Sequence, residues 1–306
     1  MQNRIKRITK LIGETELKLS DEIDLMMSRS IDISDCESVC LALGPRGNLT
    51  TLTAATLFLH PDCQVLNHAG TRIYGNKQMD FLSDYSEERF KRFIQFAIRI
   101  SNKGFRGDRG GSITYSHAFD SRYKTKEIYQ KTGEGLIKAH IRCLFWKESH
   151  RTSNLIRDEH VDLGSIFKQN DKLRFLQPIR NPMDCAISNL NTGHVTMFRG
   201  LDKKSPVIDV TRAILDEIYW LGELKESFPS RFSYYFEHEI SQKMLVSLAT
   251  FLKLDPNEDW LTNALAVMKT KPSYEHDSAL LAFYGDYVTN KFSRFPALSD
   301  GLMSFS

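Results

Sequence analysis

The sequence predicts an α/β protein built on a central, mainly parallel sheet flanked by helices. Short, continuously apolar runs recur along the chain, helical patterns separate them, and two run-to-helix junctions are rich in residues suited to anions. Unbroken apolarity is what a strand covered on both faces requires, whereas a half-exposed strand alternates.

Residues 3–30 place Ile5, Ile8, Leu11 and Ile12, then Ile23, Met26 and Met27, at helical spacing, with a break near Gly13. Residues 1–32 are therefore expected to form an amphipathic helical extension packed on one domain, 33–306. Val39-Cys40-Leu41-Ala42-Leu43 reads as a buried strand that stops at Gly44-Pro45, and Thr50–Leu59 as the helix after it. The turn signal His60-Pro61-Asp62 precedes a second strand at Cys63–Leu66. A helix around Glu87–Ile100 follows, then a Gly- and Arg-rich connection over Lys103–Ser112. His140–Trp146 and Leu173–Ile179 read as strands, with a short helix at Val161–Lys168 between them. Pro182 suits the first turn of a helix over Met183–Leu190. The last third is mainly helical (Val207–Leu224, Ile240–Leu252, Asp259–Met268, Asp277–Phe292), with one strand at Phe232–Phe236.

Composition narrows the function. Hydrophobic residues make up 41% and charged residues 26% of 306, which is ordinary for a folded globular chain. A formal net charge of +3 gives no global field for nucleic acid, so any anion site must be local. Cys36, Cys40, Cys63, Cys143 and Cys185 are scattered, mostly in apolar runs, and lack zinc or redox spacing. Buried free thiols and no metal are expected. The basic start, Arg4, Lys6, Arg7 and Lys10, leads into charged sequence instead of a signal core, and no run approaches the ~20 apolar residues of a membrane span. The expectation is a cytoplasmic enzyme without a transmembrane segment, with peripheral membrane contact through the basic start as a lesser possibility.

Two segments carry the chemistry. In Gly44-Pro45-Arg46-Gly47-Asn48-Leu49-Thr50-Thr51 a strand gives way to two glycines, a cation and two hydroxyls as a helix opens. Backbone N–H groups and the helix dipole there form an anion cradle, with Arg46 to neutralise a bridging oxygen. The bland alternative is an ordinary turn with a threonine as N-cap. The loop is not the Walker sequence GxxxxGK[ST]. In Arg180-Asn181-Pro182-Met183-Asp184-Cys185-Ala186-Ile187-Ser188, an arginine ends a strand and a serine sits two turns into the next helix, so both can converge on one phosphate.

The second segment resembles the 3′-phosphate motif of sulfotransferases that use 3′-phosphoadenosine 5′-phosphosulfate (PAPS), in which Arg-Asn/Asp-Pro is followed by Asp and then by Ser. The first is similar to that family's 5′-phosphosulfate loop, Pro-Lys/Arg-Ser-Gly-Thr-Thr, with one departure: three residues, not two, separate Arg46 from the threonine pair. Tyr234–Ile240 and Phe251-Leu252-Lys253-Leu254 resemble the family's Tyr-Glu-Asp-Leu and Phe-Leu-Gly-Leu stretches. The resemblance covers about residues 38–255 and is of a bacterial type. It implies a P-loop NTPase-like sulfotransferase fold and transfer of a sulfuryl group from PAPS to a hydroxyl or amine, leaving adenosine 3′,5′-bisphosphate (PAP). Arg46, Gly47, Asn48, Leu49, Thr50, Thr51, Arg180 and Ser188 would bind the donor, and the acceptor would be a small molecule or glycan, commonly a carbohydrate or lipid-linked sugar.

A hydroxyl acceptor needs a base, which in the family is a His or a Glu. His68 lies just past the second strand, where parallel strands present their ends to a ligand crevice. His117 and Glu148 compete for the role. Lys147 resembles the lysine of a Lys-x-Pro stretch, without the proline. Arg106 and Arg109 are candidates to close over donor or acceptor, and Lys269, Lys271 and Tyr274 stand late enough to reach the 3′-phosphate. Two rivals remain: a P-loop small-molecule kinase, and a non-catalytic nucleotide-binding homologue.

Overall fold

The computed structural model describes residues 16–104, 106–107, 109–121, 123–269 and 274–306. Its centre is a six-stranded sheet in the order β3-β2-β4-β1-β5-β6. The strands are β1 (Ser38–Ala42), β2 (Cys63–Asn67), β3 (Gly111–Ser112), β4 (Cys143–Lys147), β5 (Leu173–Ile179) and β6 (Phe232–Phe236). All pairings are parallel except that of β2 with the two-residue edge strand β3.

The apolar runs form strands because both faces of the sheet are covered. Val39 and Leu41 of β1 join Leu144, Trp146, Leu173 and Phe175 in one core, while Cys40 and Ala42 join Val65, Phe145 and Leu176 in the other. Side chains alternate across the pleat, so one continuous run feeds two cores. All five cysteines are buried and free. Burial pushes the thiols of Cys36 and Cys185 up to about 12, away from thiolate chemistry.

Helices fill both layers. Residues 16–28 are helical (α1), followed by α2 (Thr50–Phe58), α3 (Gly70–Ile73), α4 (Glu87–Ile100), α5 (Thr125–Thr132), α6 (His150–Asp158) and α7 (Leu163–Gln169). Then come α8 (Pro182–Thr192), α9 (Val207–Ser227), α10 (Gln242–Phe251), α11 (Glu258–Val267), α12 (Ser278–Lys291) and α13 (Pro296–Met303). The basic start and Ile5 to Ile12 lie outside the described residues. The part of α1 that is described buries Leu25 and ties Asp21 and Asp24 to Arg72, Arg99, Lys103 and Arg109.

Several boundaries differ from the sequence reading for physical reasons. The expected strand at His140 starts only at Cys143, because His140 is exposed and Arg142 turns outward to Glu37. No threonine caps α2: the N-cap is Leu49 in a left-handed conformation (φ 59°), with no side-chain bond to the helix start. Helices α3, α5, α6 and α13 and strand β3 were not expected.

Candidate functional site

Every parallel strand delivers a polar group at its C-terminal end: the Gly44 loop after β1, His68 after β2, Lys147 and Glu148 at β4, Arg180 after β5 and Glu237 after β6. From β1 the chain runs to β2 and later β4 on one side, then to β5 and β6 on the other, so β1 sits at the topological switch point. Crevices open there, outside the carboxyl ends of the strands.

The loop after β1 needs both of its glycines. Gly44 and Gly47 have φ of +89° and +83°. A β-carbon would stand 2.8 Å from Gln177 Cδ at Gly44 and 3.4 Å from Ser188 Oγ at Gly47. With Leu49 making no side-chain cap, the first N–H groups of α2 are left for an anion to satisfy, with the helix dipole in its favour.

Helix α8 grips this loop. Asn189 Nδ2 donates to the Arg46 carbonyl at 2.6 Å, with Cys185 Sγ at 3.2 Å from the same oxygen. Asn48 is buried, and its Oδ1 accepts the Arg180 backbone N–H at 2.7 Å, so its side chain braces one segment against the other. Ser153 Oγ accepts from Gly44 N at 3.1 Å. The two segments singled out in the sequence are thus one rigid unit.

Asn181 caps α8 by accepting from Met183 N, and Pro182 occupies the first turn. Arg180 is held by Asp184 at 3.1 Å and Glu237 at 3.7 Å. Burial raises the Glu237 carboxyl, opposed by the Asn181 N–H and by Arg180. Asp184 also accepts from Tyr274 N at 3.0 Å and meets His276 at 3.1 Å, which brings the late segment to this corner. Lys271 lies outside the described residues. The arginine is therefore oriented before any ligand arrives.

On the other side of β1, His68 and Ala69 both take positive φ, 58° and 78°. Such left-handed residues cost on the order of 1–3 kcal/mol each and persist only where the surroundings hold them. Here His68 N donates to Lys147 O at 2.9 Å and Trp146 Nε1 donates to His68 O at 2.6 Å. The imidazole lies with Nε2 3.1 Å from Lys147 Nζ and Nδ1 3.9 Å from Glu148 Oε2. Burial raises the Glu148 carboxyl, while the Gly70 N–H, Arg151, Lys147 and Arg46 oppose that rise.

These groups surround a cleft of about 480 Å³, a volume typical of ligand sites. Its lining includes Arg46, Gly47, Leu49, Thr50 and Thr51, with His68 and Lys147 across from Arg180, Ser188 and Lys269. His117 lines it too, from the 3₁₀ turn His117–Phe119. No aspartate or glutamate is among the described lining residues. Asn48 and Glu148 stand behind the wall, not in it. Arg106 reaches the cleft, whereas Arg109 turns to Asp21 of α1 at 2.8 Å. The sequence reading did not single out His194, whose Nε2 accepts from Arg46 at 3.2 Å, nor the Arg180 contact of Glu237. His194 carries no local motif, and the stretch around Glu237 does not point to Arg180, because each meets its partner only through the fold.

The cleft gathers basic groups in two places: Arg46 and Lys147 near the α2 start, and Arg180 and Lys269 with Ser188. No family model matches the chain, and no curated protein matches it. Among solved structures, a similar chain path is found in mouse sulfotransferase SULT7A1 complexed with PAP, at 11% identity over 93% of each chain and a TM-score of 0.46. Sulfotransferase STF9 from Mycobacterium avium gives 11% identity over 90% of this chain and 80% of that one, with a TM-score of 0.42. The sulfotransferase domain of the Synechococcus PCC 7002 olefin synthase gives 13% over 91% of each and 0.40. Overlaps this loose leave the chemistry to be argued from the cleft itself.

Proposed function

We propose that this chain is a sulfotransferase that moves the sulfuryl group of PAPS to an acceptor hydroxyl, with a carbohydrate or glycolipid as the acceptor class and the cytoplasm as its compartment. The observation that carries this reading is the pair of anion seats in one cleft whose described lining holds no carboxylate. A nucleotide with phosphates at both its 5′ and 3′ positions is the ligand that two such seats fit. The glycine-shaped cradle at Gly47 and the uncapped start of α2 suit the 5′-phosphosulfate, and Arg180 with Ser188 suits the 3′-phosphate.

Strand order supports one direction for the donor. Arg180 lies over β5, so the nucleotide body extends to that side of β1 and the sulfuryl group faces β4 and β2, where Lys147 and His68 stand. The acceptor oxygen attacks sulfur, the bond from sulfur to the bridging phosphate oxygen breaks, and its electron pair leaves with PAP. His68 Nε2 takes the proton of the acceptor hydroxyl. Arg46, held by His194, stabilises charge on the departing phosphate, and Lys147 serves the sulfuryl oxygens. Polar groups on the acceptor side, Asn67, Ser116 and Tyr115, suit an acceptor rich in hydroxyls.

A kinase would need a Walker lysine in the loop and acidic side chains to hold magnesium in the cleft. Isothermal titration decides between them: PAP should bind at least about tenfold more tightly than ATP with magnesium, about 1.4 kcal/mol. Tighter binding of ATP sinks the proposal. Transfer of labelled sulfate from PAPS to a carbohydrate panel should follow, whereas PAP binding without turnover would establish the non-catalytic reading.

A further inference from the structure

We infer that Glu148 is a positioning residue that, from the Nδ1 side and together with Lys147 on the Nε2 side, holds His68 in the tautomer that leaves Nε2 unprotonated toward the cleft; this rests on the reading of His68 as the base. The geometry is specific. An ammonium only donates, so Lys147 Nζ, 3.1 Å from Nε2, requires a lone pair there. The ring proton must then sit on Nδ1, the nitrogen that faces Glu148 Oε2 at 3.9 Å. That separation exceeds a hydrogen bond, and such contacts tighten in the bound complex.

Glu148 is built for this task and for little else. Its side chain has no exposure, so it cannot meet a substrate itself. Gly70 N donates to Oε2 at 3.0 Å and Arg151 meets Oε1 at 3.1 Å, which fixes the carboxylate from two helices. Gly70 has an ordinary φ, yet a β-carbon there would lie 2.8 Å from Glu148 Cδ. The chain bends closely over the carboxylate because it also presents His68 two residues earlier. Lys147 occupies Nε2 at rest; a sulfuryl group beside it offers Nζ better acceptors and releases Nε2 for the acceptor hydroxyl.

The test is ¹⁵N NMR of histidine-labelled protein, with the His68 signals assigned by their loss in His68→Asn. Wild type should show a protonated Nδ1 and a bare Nε2 without any nucleotide. A proton on Nε2 of the neutral ring overturns the inference with no variant required. In Lys147→Met, where Glu148 alone still biases the ring, the Nδ1 proton should remain, and adding Glu148→Gln should mix the tautomers; in Glu148→Gln alone, sulfate transfer from PAPS should drop at least about tenfold in kcat. KM for PAPS should change less than about twofold, and Glu148→Asp should restore part of the rate. A tautomer in Lys147→Met that does not change when Glu148→Gln is added, with an unchanged rate in Glu148→Gln alone, would mean that the carboxylate only braces the Gly70 turn. Should the tautomer behave as stated while PAP fails to bind, the donor assignment falls and the coupling of Glu148 to His68 stands.

Discussion

Ser188 isolates the 3′-phosphate seat at the scale of one side chain. Its hydroxyl lines the cleft from the second turn of α8, where the proposed donor carries its 3′-phosphate. A hydrogen bond to a charged group contributes about 1.5–3 kcal/mol, so Ser188→Ala should weaken PAP binding by roughly ten- to a hundredfold. Adenosine 5′-phosphosulfate, which lacks the 3′-phosphate, should bind wild type and variant alike in the same calorimeter. An equal loss for both ligands would place Ser188 elsewhere in the mechanism. Arg180→Ala is a poorer probe, because it also strips the counter-charge from Asp184 and Glu237. That Arg180 and Ser188 line one cleft was legible in the sequence, since their spacing is local and the turn into α8 brings the end of β5 and the second helical turn together. Asn48 was legible only as a polar residue in the phosphate loop. Its contact with Arg180 N joins β1 to β5, and no local pattern reports it.

At the scale of elements, the loop before α2 and the start of α8 act together through that contact. Asn48→Ala removes the acceptor for the Arg180 N–H in a buried place, which should cost about 1–3 kcal/mol in urea unfolding. It should also weaken PAP by several-fold, because the distance between the two anion seats is no longer fixed. Loss of stability with unchanged PAP affinity would show that Asn48 serves the fold alone. Element by element, the strands Leu173–Ile179 and Phe232–Phe236 and the helix Glu87–Ile100 stand where their apolar patterns place them. Helix α6 hid because its buried face is polar: Thr152 bonds Tyr74 and Ser153 holds the Gly44 loop. A helix that supports a site through hydroxyls has no apolar stripe to read. Strand β3, two residues at the sheet edge, is too short for any period to show. By contrast α13 had a readable start, Pro296 in its first turn.

Across the whole molecule, the parallel sheet and its two cores follow from continuous apolar runs, but strand order does not. That order alone puts Lys147 beside His68 and Glu237 beside Arg180. The same packing buries a group that ties stability to pH. His150 opens α6 with its ring 4.5 Å from Phe198, and burial, with Arg157 and Arg46 nearby, lowers it from 6.5 to about 4. Between those values the unfolded chain takes a proton that the folded chain refuses, so the unfolded state binds more protons. Stability is therefore full above pH 6.5, falls as pH drops through the window, and levels off below about 4. Between pH 7 and pH 5 this one group should remove about 2 kcal/mol of unfolding free energy. Other titrating groups contribute to the same interval, so the measurement is a double difference: urea unfolding at both pH values for wild type and for His150→Gln. The variant should lose about 2 kcal/mol less than wild type over the interval, whatever its own starting stability. If both lose the same amount, His150 takes its proton in the folded state and is not held neutral by its burial against Phe198.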